Sequence, residues 1–137
     1  MDLNTYLSFD GTCEAAFKFY EKVLGGKIVA MMTYAEMPGS AEMPKDSQNR
    51  IMHARIQVGD KLLMASDCPP GRFESAKGFN INISVKDPAE ADRLFGALSA
   101  KGTVSMPIQE TFWAHRFGML VDQFGTPWMV NCEKAAA

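Results

Sequence analysis

The chain has 137 residues, 47% of them hydrophobic and 22% charged, with a formal net charge of -2. That length and balance suit one domain able to bury a core without staples, and they give no basic footprint for nucleic acid or an anionic membrane. Cys13, Cys68 and Cys132 have no CxxC spacing, so neither a disulfide framework nor a thiolate zinc site is suggested; with no apolar run of about 18 residues and no signal-peptide layout in Met1-Asp2-Leu3-Asn4, a soluble cytoplasmic protein is expected.

The first strand alternates Leu3, Thr5, Leu7 and Phe9 with Asn4, Tyr6 and Ser8, which gives it one apolar and one polar face. A helix follows, because Cys13, Ala16, Phe17, Tyr20 and Leu24 recur at three- and four-residue steps and Gly25-Gly26 stops it. Residues 27–34 read as a strand rich in Ile, Val, Met and Thr. Residues 36–49, with Pro38-Gly39-Ser40 and Pro44, read as a long loop of the kind that serves as a lid or arm. Residues 51–58 and 61–66 form a hairpin around Gly59-Asp60, and Pro69-Pro70-Gly71 breaks the chain.

The plan then repeats. Ile81, Ile83 and Val85 alternate with Asn80, Asn82 and Ser84 in a strand offset by 76 positions from the first, Asn4 onto Asn80 and Ser8 onto Ser84. In the helices, offset by 75, Ala16, Phe19, Tyr20 and Val23 match Ala91, Leu94, Phe95 and Leu98. The second helix is announced by Asp87 as cap, Pro88 at its first position and Glu90 to complete a capping box, and Gly102 ends it. Residues 103–109 read as a strand, 115–121 and 127–132 as a last hairpin through Asp122-Gln123-Phe124-Gly125, and Glu133 onward as a frayed tail.

The expected fold is therefore α+β, a single domain over residues 1–137 built of two βαβββ modules at about 1–67 and 78–133. They should make a curved mixed sheet whose polar strand faces line a shared concavity. Exposed strand edges predict a homodimer, with the 36–49 arm available for exchange.

Phe19-Tyr20-Glu21-Lys22-Val23-Leu24-Gly25-Gly26 and Val121-Asp122-Gln123-Phe124-Gly125-Thr126-Pro127-Trp128 resemble elements of the vicinal oxygen chelate superfamily of glyoxalases, bleomycin resistance proteins and extradiol dioxygenases. Gln109-Glu110-Thr111-Phe112-Trp113-Ala114 further resembles its PhnB-like branch, sometimes labelled demethylubiquinone methyltransferase. The resemblance implies four metal-ligand positions, one on the first and one on the last strand of each module, usually His, Glu or Gln. By strand register these fall on Asn4, Met64, Asn80 and Met129, a thioether and amide set ill suited to a hard divalent ion. The usual metal centre, and any other cofactor, is accordingly not expected. A divalent metal is open only at a relocated site, where His53, His115 and Glu110 would supply the ligands of a lyase, isomerase or dioxygenase.

Glu110 lies among Phe112, Trp113 and Phe117 in sequence, where desolvation would fit it for acid or base work, or it is an exposed loop carboxylate. Trp113 and Trp128 are candidates for stacking on a flat ligand or for core, the methionines for pocket lining or core filler, and Arg55 and Arg116 for an anion clamp or surface ion pairs. No Gly-rich strand-to-helix turn offers a dinucleotide or methyl-donor cradle, and no nucleophile elbow appears. The leading expectation is a small-molecule-binding protein using Asn4, Tyr6, Met64, Asn80, Asn82, Trp113 and Met129. A metal-assisted enzyme and a partner-binding protein with a vestigial cleft are the alternatives.

Overall fold

The computed structural model describes residues 1–134. The chain divides into two compact units, Met1–Glu74 (module 1) and Ser75–Ala137 (module 2). Module 1 runs β1 (Thr5–Phe9), α1 (Cys13–Leu24), β2 (Lys27–Thr33), α2 (Lys45–Gln48), β3 (Ile51–Val58) and β4 (Lys61–Asp67). Module 2 runs β5 (Ile81–Ser84), α3 (Pro88–Ser99), β6 (Thr103–Gln109), β7 (Ala114–Val121) and β8 (Pro127–Glu133). The fold class is α+β with two βαβββ modules, as the sequence predicts. Hydrogen bonding divides the strands into two mixed sheets, one per module, ordered β1-β4-β3-β2 and β5-β8-β7-β6. In each, the first strand lies parallel to the last and the other pairs are antiparallel.

The helix stripes fold as their periodicity dictates. In α1 the buried residues are Cys13, Ala16, Phe17, Tyr20 and Val23, and Gly25 ends the helix with φ at 71°. Val23 rather than Leu24 completes the stripe. In α3 they are Ala91, Leu94, Phe95 and Leu98. Each helix covers one face of its own sheet: Leu7, Phe9, Ala54, Ile56 and Ala65 are buried in module 1, and Leu120, Trp128 and Val130 in module 2.

Two glycines hold the same station. A Cβ on Gly26 would come within 2.7 Å of the Gln57 carbonyl oxygen, and one on Gly102 would collide with the Val121 carbonyl oxygen. Only hydrogen fits where the chain enters β2 or β6 and presses against the adjacent strand, β3 or β7.

Several expectations need correction. Leu3 is 92% exposed and precedes β1, so the apolar face of that strand rests on Leu7 and Phe9. Residues 36–49 are not an open loop: helical turns at Tyr34–Glu36 and Ser40–Glu42 lead into α2. Gln48 Nε2 donates to the carbonyls of Ser40 and Met43, and Tyr34 Oη donates to the carbonyl of Asp67. The segment is thus tied into its own module.

Glu90 completes no capping box. Its carboxylate takes two hydrogen bonds from Arg93, 2.9 and 2.6 Å long, and that pairing holds its pKa below the ordinary value. Asp87 does cap α3, accepting from Ala89 N at 3.0 Å. The helix ends before Gly102, and Lys101 takes the left-handed turn at φ 60°. Glu133 belongs to β8, and of the expected tail Ala135–Ala137 lies outside the described residues.

Candidate functional site

The sheet faces turned away from α1 and α3 carry five of the sequence-predicted site residues, Tyr6, His53, Met64, Asn82 and Met129. In module 1, β1 pairs with β4 so that Tyr6 stands beside Met64 and Ser8 beside Ser66. Directly paired residues project on the same face. Across β4, Met64 pairs with Arg55, and across β3, His53 pairs with Met32. The result is an outward patch of Tyr6, Met64, Arg55, His53 and Met32 on four adjacent strands.

Within it, Tyr6 Oη lies 3.2 Å from His53 Nδ1, and Arg55 Nε donates to His53 Nε2 at 3.0 Å. Both ring nitrogens of His53 are therefore engaged inside module 1. Tyr6 is 48% exposed, so the patch opens to solvent. Asn4 is exposed and lies one residue before β1, off the ladder.

In module 2, Asn82 pairs with Met129, which pairs with Met119, while Ser84 pairs with Asn131, which pairs with Phe117. Asn82 Nδ2 donates to Ser84 Oγ at 2.9 Å. Asn80 is exposed and precedes β5 by one residue, as Asn4 precedes β1. Trp113 is half-exposed and packs edge-on against Phe117, with centroids 5.4 Å apart, and against Phe112, which is 90% exposed. Trp128, by contrast, is core: it is 1% exposed and its indole donates to Asp122 Oδ2 at 2.8 Å.

Asn131 is a feature that the sequence reading missed. It is only 9% exposed, its Nδ2 donates to Glu133 Oε1 at 3.2 Å, and its Oδ1 is buried without a partner. The Glu133 carboxylate fixes which end of the amide faces it, since carboxylate oxygen only accepts. A polar residue on the outward alternation of β8 was visible in the sequence, but its burial was not.

The relocated metal set gains no support from the geometry. Glu110 is exposed and pairs with Lys134 at 3.3 Å instead of sitting among aromatic rings. His115 is exposed on β7, and among the described residues no group of three or more His, Cys, Asp or Glu side chains could hold a metal ion. Of the four positions that the resemblance implied, Asn4 and Asn80 lie off the ladders, and the pairing puts Tyr6 beside Met64 and Asn82 beside Met129 instead. Phenol, thioether and amide form a donor set that does not fit a hard divalent cation.

The arginines also divide. Arg116 pairs with Asp92 on α3 at 3.1 Å, a surface ion pair. Arg55 makes no ion pair among the described residues.

A sequence model of the family described as 3-demethylubiquinone-9 3-methyltransferase matches residues 1–131. Protein YjdN of Escherichia coli (strain K12) is 37% identical over 98% of this chain and 97% of its own length. The crystal structure of protein PA1353 from Pseudomonas aeruginosa is 46% identical, covers 98% of this chain and 99% of that one, and superposes with a TM-score of 0.90. At the level of fold alone, a glyoxylase/bleomycin resistance protein/dioxygenase domain from Frankia sp. EAN1pec superposes at a TM-score of 0.66 with 12% identity, over 96% of this chain and 94% of that one.

Proposed function

Because this chain belongs to the family described as 3-demethylubiquinone-9 3-methyltransferase, a PhnB-like branch of the vicinal oxygen chelate superfamily, we propose that it binds a small molecule on its outward sheet faces. The observation that carries this reading is the alternation in β1 and β5: Leu7 and Phe9 are buried and Ile81 and Ile83 half-buried, while Tyr6, Ser8, Asn82 and Ser84 on the other side stay exposed. A sheet face kept polar and exposed in both copies of a duplicated unit is free to meet a ligand. In this proposal Asn4, Tyr6 and Met64 act in module 1, and Asn80, Asn82, Met129 and Trp113 in module 2. Methionine and aromatic surface adapts to an apolar ligand body while amide and phenol groups fix its orientation.

The methyltransferase activity in the family's description does not enter the proposal. The doubly wound nucleotide-binding architecture is an open parallel sheet with helices on both faces, whereas each module here is a small mixed sheet covered by one long helix. A homodimer acting in the cytoplasm completes the reading. The open edge strands β2 and β6 support the first part, and the free thiols of Cys13, Cys68 and Cys132 the second.

A thermal-shift screen of a small-molecule library tests the proposal. At least one compound class is expected to raise the melting temperature, and Asn82→Leu or Tyr6→Phe to reduce that rise without changing the melting of the unliganded protein. No stabilising compound, together with no effect of either substitution, contradicts it. Sedimentation showing only monomer at micromolar concentration contradicts the dimer.

A further inference from the structure

We infer that the outward face of module 1 is an oxyanion-binding site, in which Arg55 and Tyr6 donate hydrogen bonds to a carboxylate or phosphate-type group and His53 is the positioning residue that aims the Tyr6 hydroxyl. The inference rests on the ligand-binding reading and names the chemistry of the ligand.

An arginine side chain donates at every N–H and accepts nowhere. The 3.0 Å contact from Arg55 Nε therefore leaves His53 Nε2 only the role of acceptor. The imidazole is then neutral with its proton on Nδ1, and that proton points to Tyr6 Oη 3.2 Å away. The tautomer follows from this partner, which is the rule for ring nitrogens in a network. With Tyr6 oxygen accepting from His53, the phenol's own proton is directed off the imidazole and outward, on a side chain that is 48% exposed.

The Arg55 end of the chain is also a donor without an anion. Arg50, Arg93 and Arg116 are each matched to a carboxylate, at 2.9, 2.6 and 3.1 Å. Arg55 spends only Nε, on a neutral ring, and its two terminal amino groups make no ion pair among the described residues. Its strand-paired neighbours, Met64 and Ala30, carry no charge, nor do Tyr6 and Met32 on the same face. Among the described residues, no carboxylate of this patch competes for the guanidinium. Two donors held by one imidazole, one charged and one a phenol, are complementary to an oxyanion, and charge-assisted bonds of this kind are about twice as strong as neutral ones. Met64 and Met32 beside them offer an apolar, deformable surface to whatever body carries the anion.

Calorimetric titration of the full chain with inorganic phosphate and, separately, with acetate tests the inference. Saturable binding of one of these ions is expected, weakened about tenfold or more by Arg55→Gln and several-fold by Tyr6→Phe. Preference for phosphate or for acetate assigns the group. His53→Leu should weaken binding as Tyr6→Phe does. His53→Gln, whose amide can accept from Arg55 and donate to Tyr6, should retain affinity to within about twofold. Equal loss in both His53 variants overturns the positioning role, because a merely structural histidine would not discriminate a directional substitute.

Undiminished anion binding by Arg55→Gln overturns the site. Absence of anion binding, alongside a neutral compound that stabilises the protein through Tyr6, overturns the oxyanion chemistry and leaves the ligand-binding reading standing. Absence of any ligand at all removes both.

Discussion

In module 1 the start of α1 is capped by Asp67, 54 residues away at the end of β4, whereas in module 2 the start of α3 is capped by Asp87, the residue immediately before it. The local cap candidate of α1, Thr12, makes no side-chain cap bond. Asp67 Oδ1 instead accepts from Gly11 N at 2.9 Å and Cys13 N at 3.0 Å, and its Oδ2 accepts from Ile51 N at 2.8 Å. One buried carboxylate thereby joins the helix start, the end of β4 and the beginning of β3. Arg50 adds a second tie at the surface, bridging Asp10 and the Cys68 carbonyl.

The buried aspartate of module 2 works elsewhere. Asp122 lies in the β7–β8 turn and accepts from Phe124 N, Thr126 N and the Trp128 indole. Strand order is the shared part of the duplication, and the pins have moved. A sheet order fixed by long pairings tolerates divergence at its connections, because each connection needs only its own polar groups satisfied.

The largest test of this contrast is Asp67→Ala beside Asp87→Ala. Removing Asp67 leaves three backbone N–H groups without their acceptor, two of those bonds being buried, and should cost about 3–5 kcal/mol in urea unfolding. The exposed local cap should cost only about 1 kcal/mol. Equal losses would mean that the long-range cap carries no special weight. Where the modules agree, they should fail together: Gly26→Ala and Gly102→Ala each force a methyl against a carbonyl and should cost about 1–3 kcal/mol apiece. A loss confined to one of them would break the equivalence of the two helix exits.

A contrast seen only at alkaline pH concerns the thiol beside Asp67. Burial, with the Asp67 and Glu14 charges adding to it, pushes the Cys13 pKa from 9.0 up to about 12. The folded protein then keeps a proton that the unfolded chain has lost, so stability falls as pH rises from about 9 towards 12, and is fully present below pH 9. Against Cys13→Ala, the wild type should lose up to about 1.4 kcal/mol per pH unit more across that window. Parallel curves would show that Cys13 ionises freely in the folded protein. Alkylation at neutral pH should likewise label half-exposed Cys68 and spare Cys13 and Cys132.

Much of the fold was legible because its signals are local. Alternation in residues 5–9 and 81–84, the stripe from Cys13 to Tyr20, and the Asp87-Pro88 start each concern neighbours within one turn or one strand. Gly25-Gly26 placed the exit of α1 to the residue, whereas α3 ends at Ser99, short of Gly102. Residues 36–49 misled, because Pro38, Gly39 and Pro44 read as breakers, while the turns there are held by the Gln48 amide on the Ser40 and Met43 carbonyls and are anchored upstream by Tyr34, which donates to the Arg50 and Asp67 carbonyls. Glu90 misled for a different reason: Arg93, three residues on, offers its carboxylate a charged donor in place of a backbone one.

The site was less legible than the fold. Tyr6 and Met64 were named from strand phase, and their adjacency followed from pairing. The Tyr6–His53–Arg55 chain joins two strands, β1 and β3, and neither the imidazole's tautomer nor the lack, among the described residues, of an ion pair at Arg55 has any trace in residue order. Asn131 is the same case: alternation gives its face, but only packing against its neighbours makes its carbonyl buried and unpartnered.

By itself, then, the sequence determined the repeated strand-helix-strand plan and which side of each strand is polar, since periodicity is a property of consecutive residues. Tertiary structure decided what those polar residues do. A hydrogen bond depends on ångström distances between groups 47 or 54 positions apart, and only the assembled sheet sets those distances.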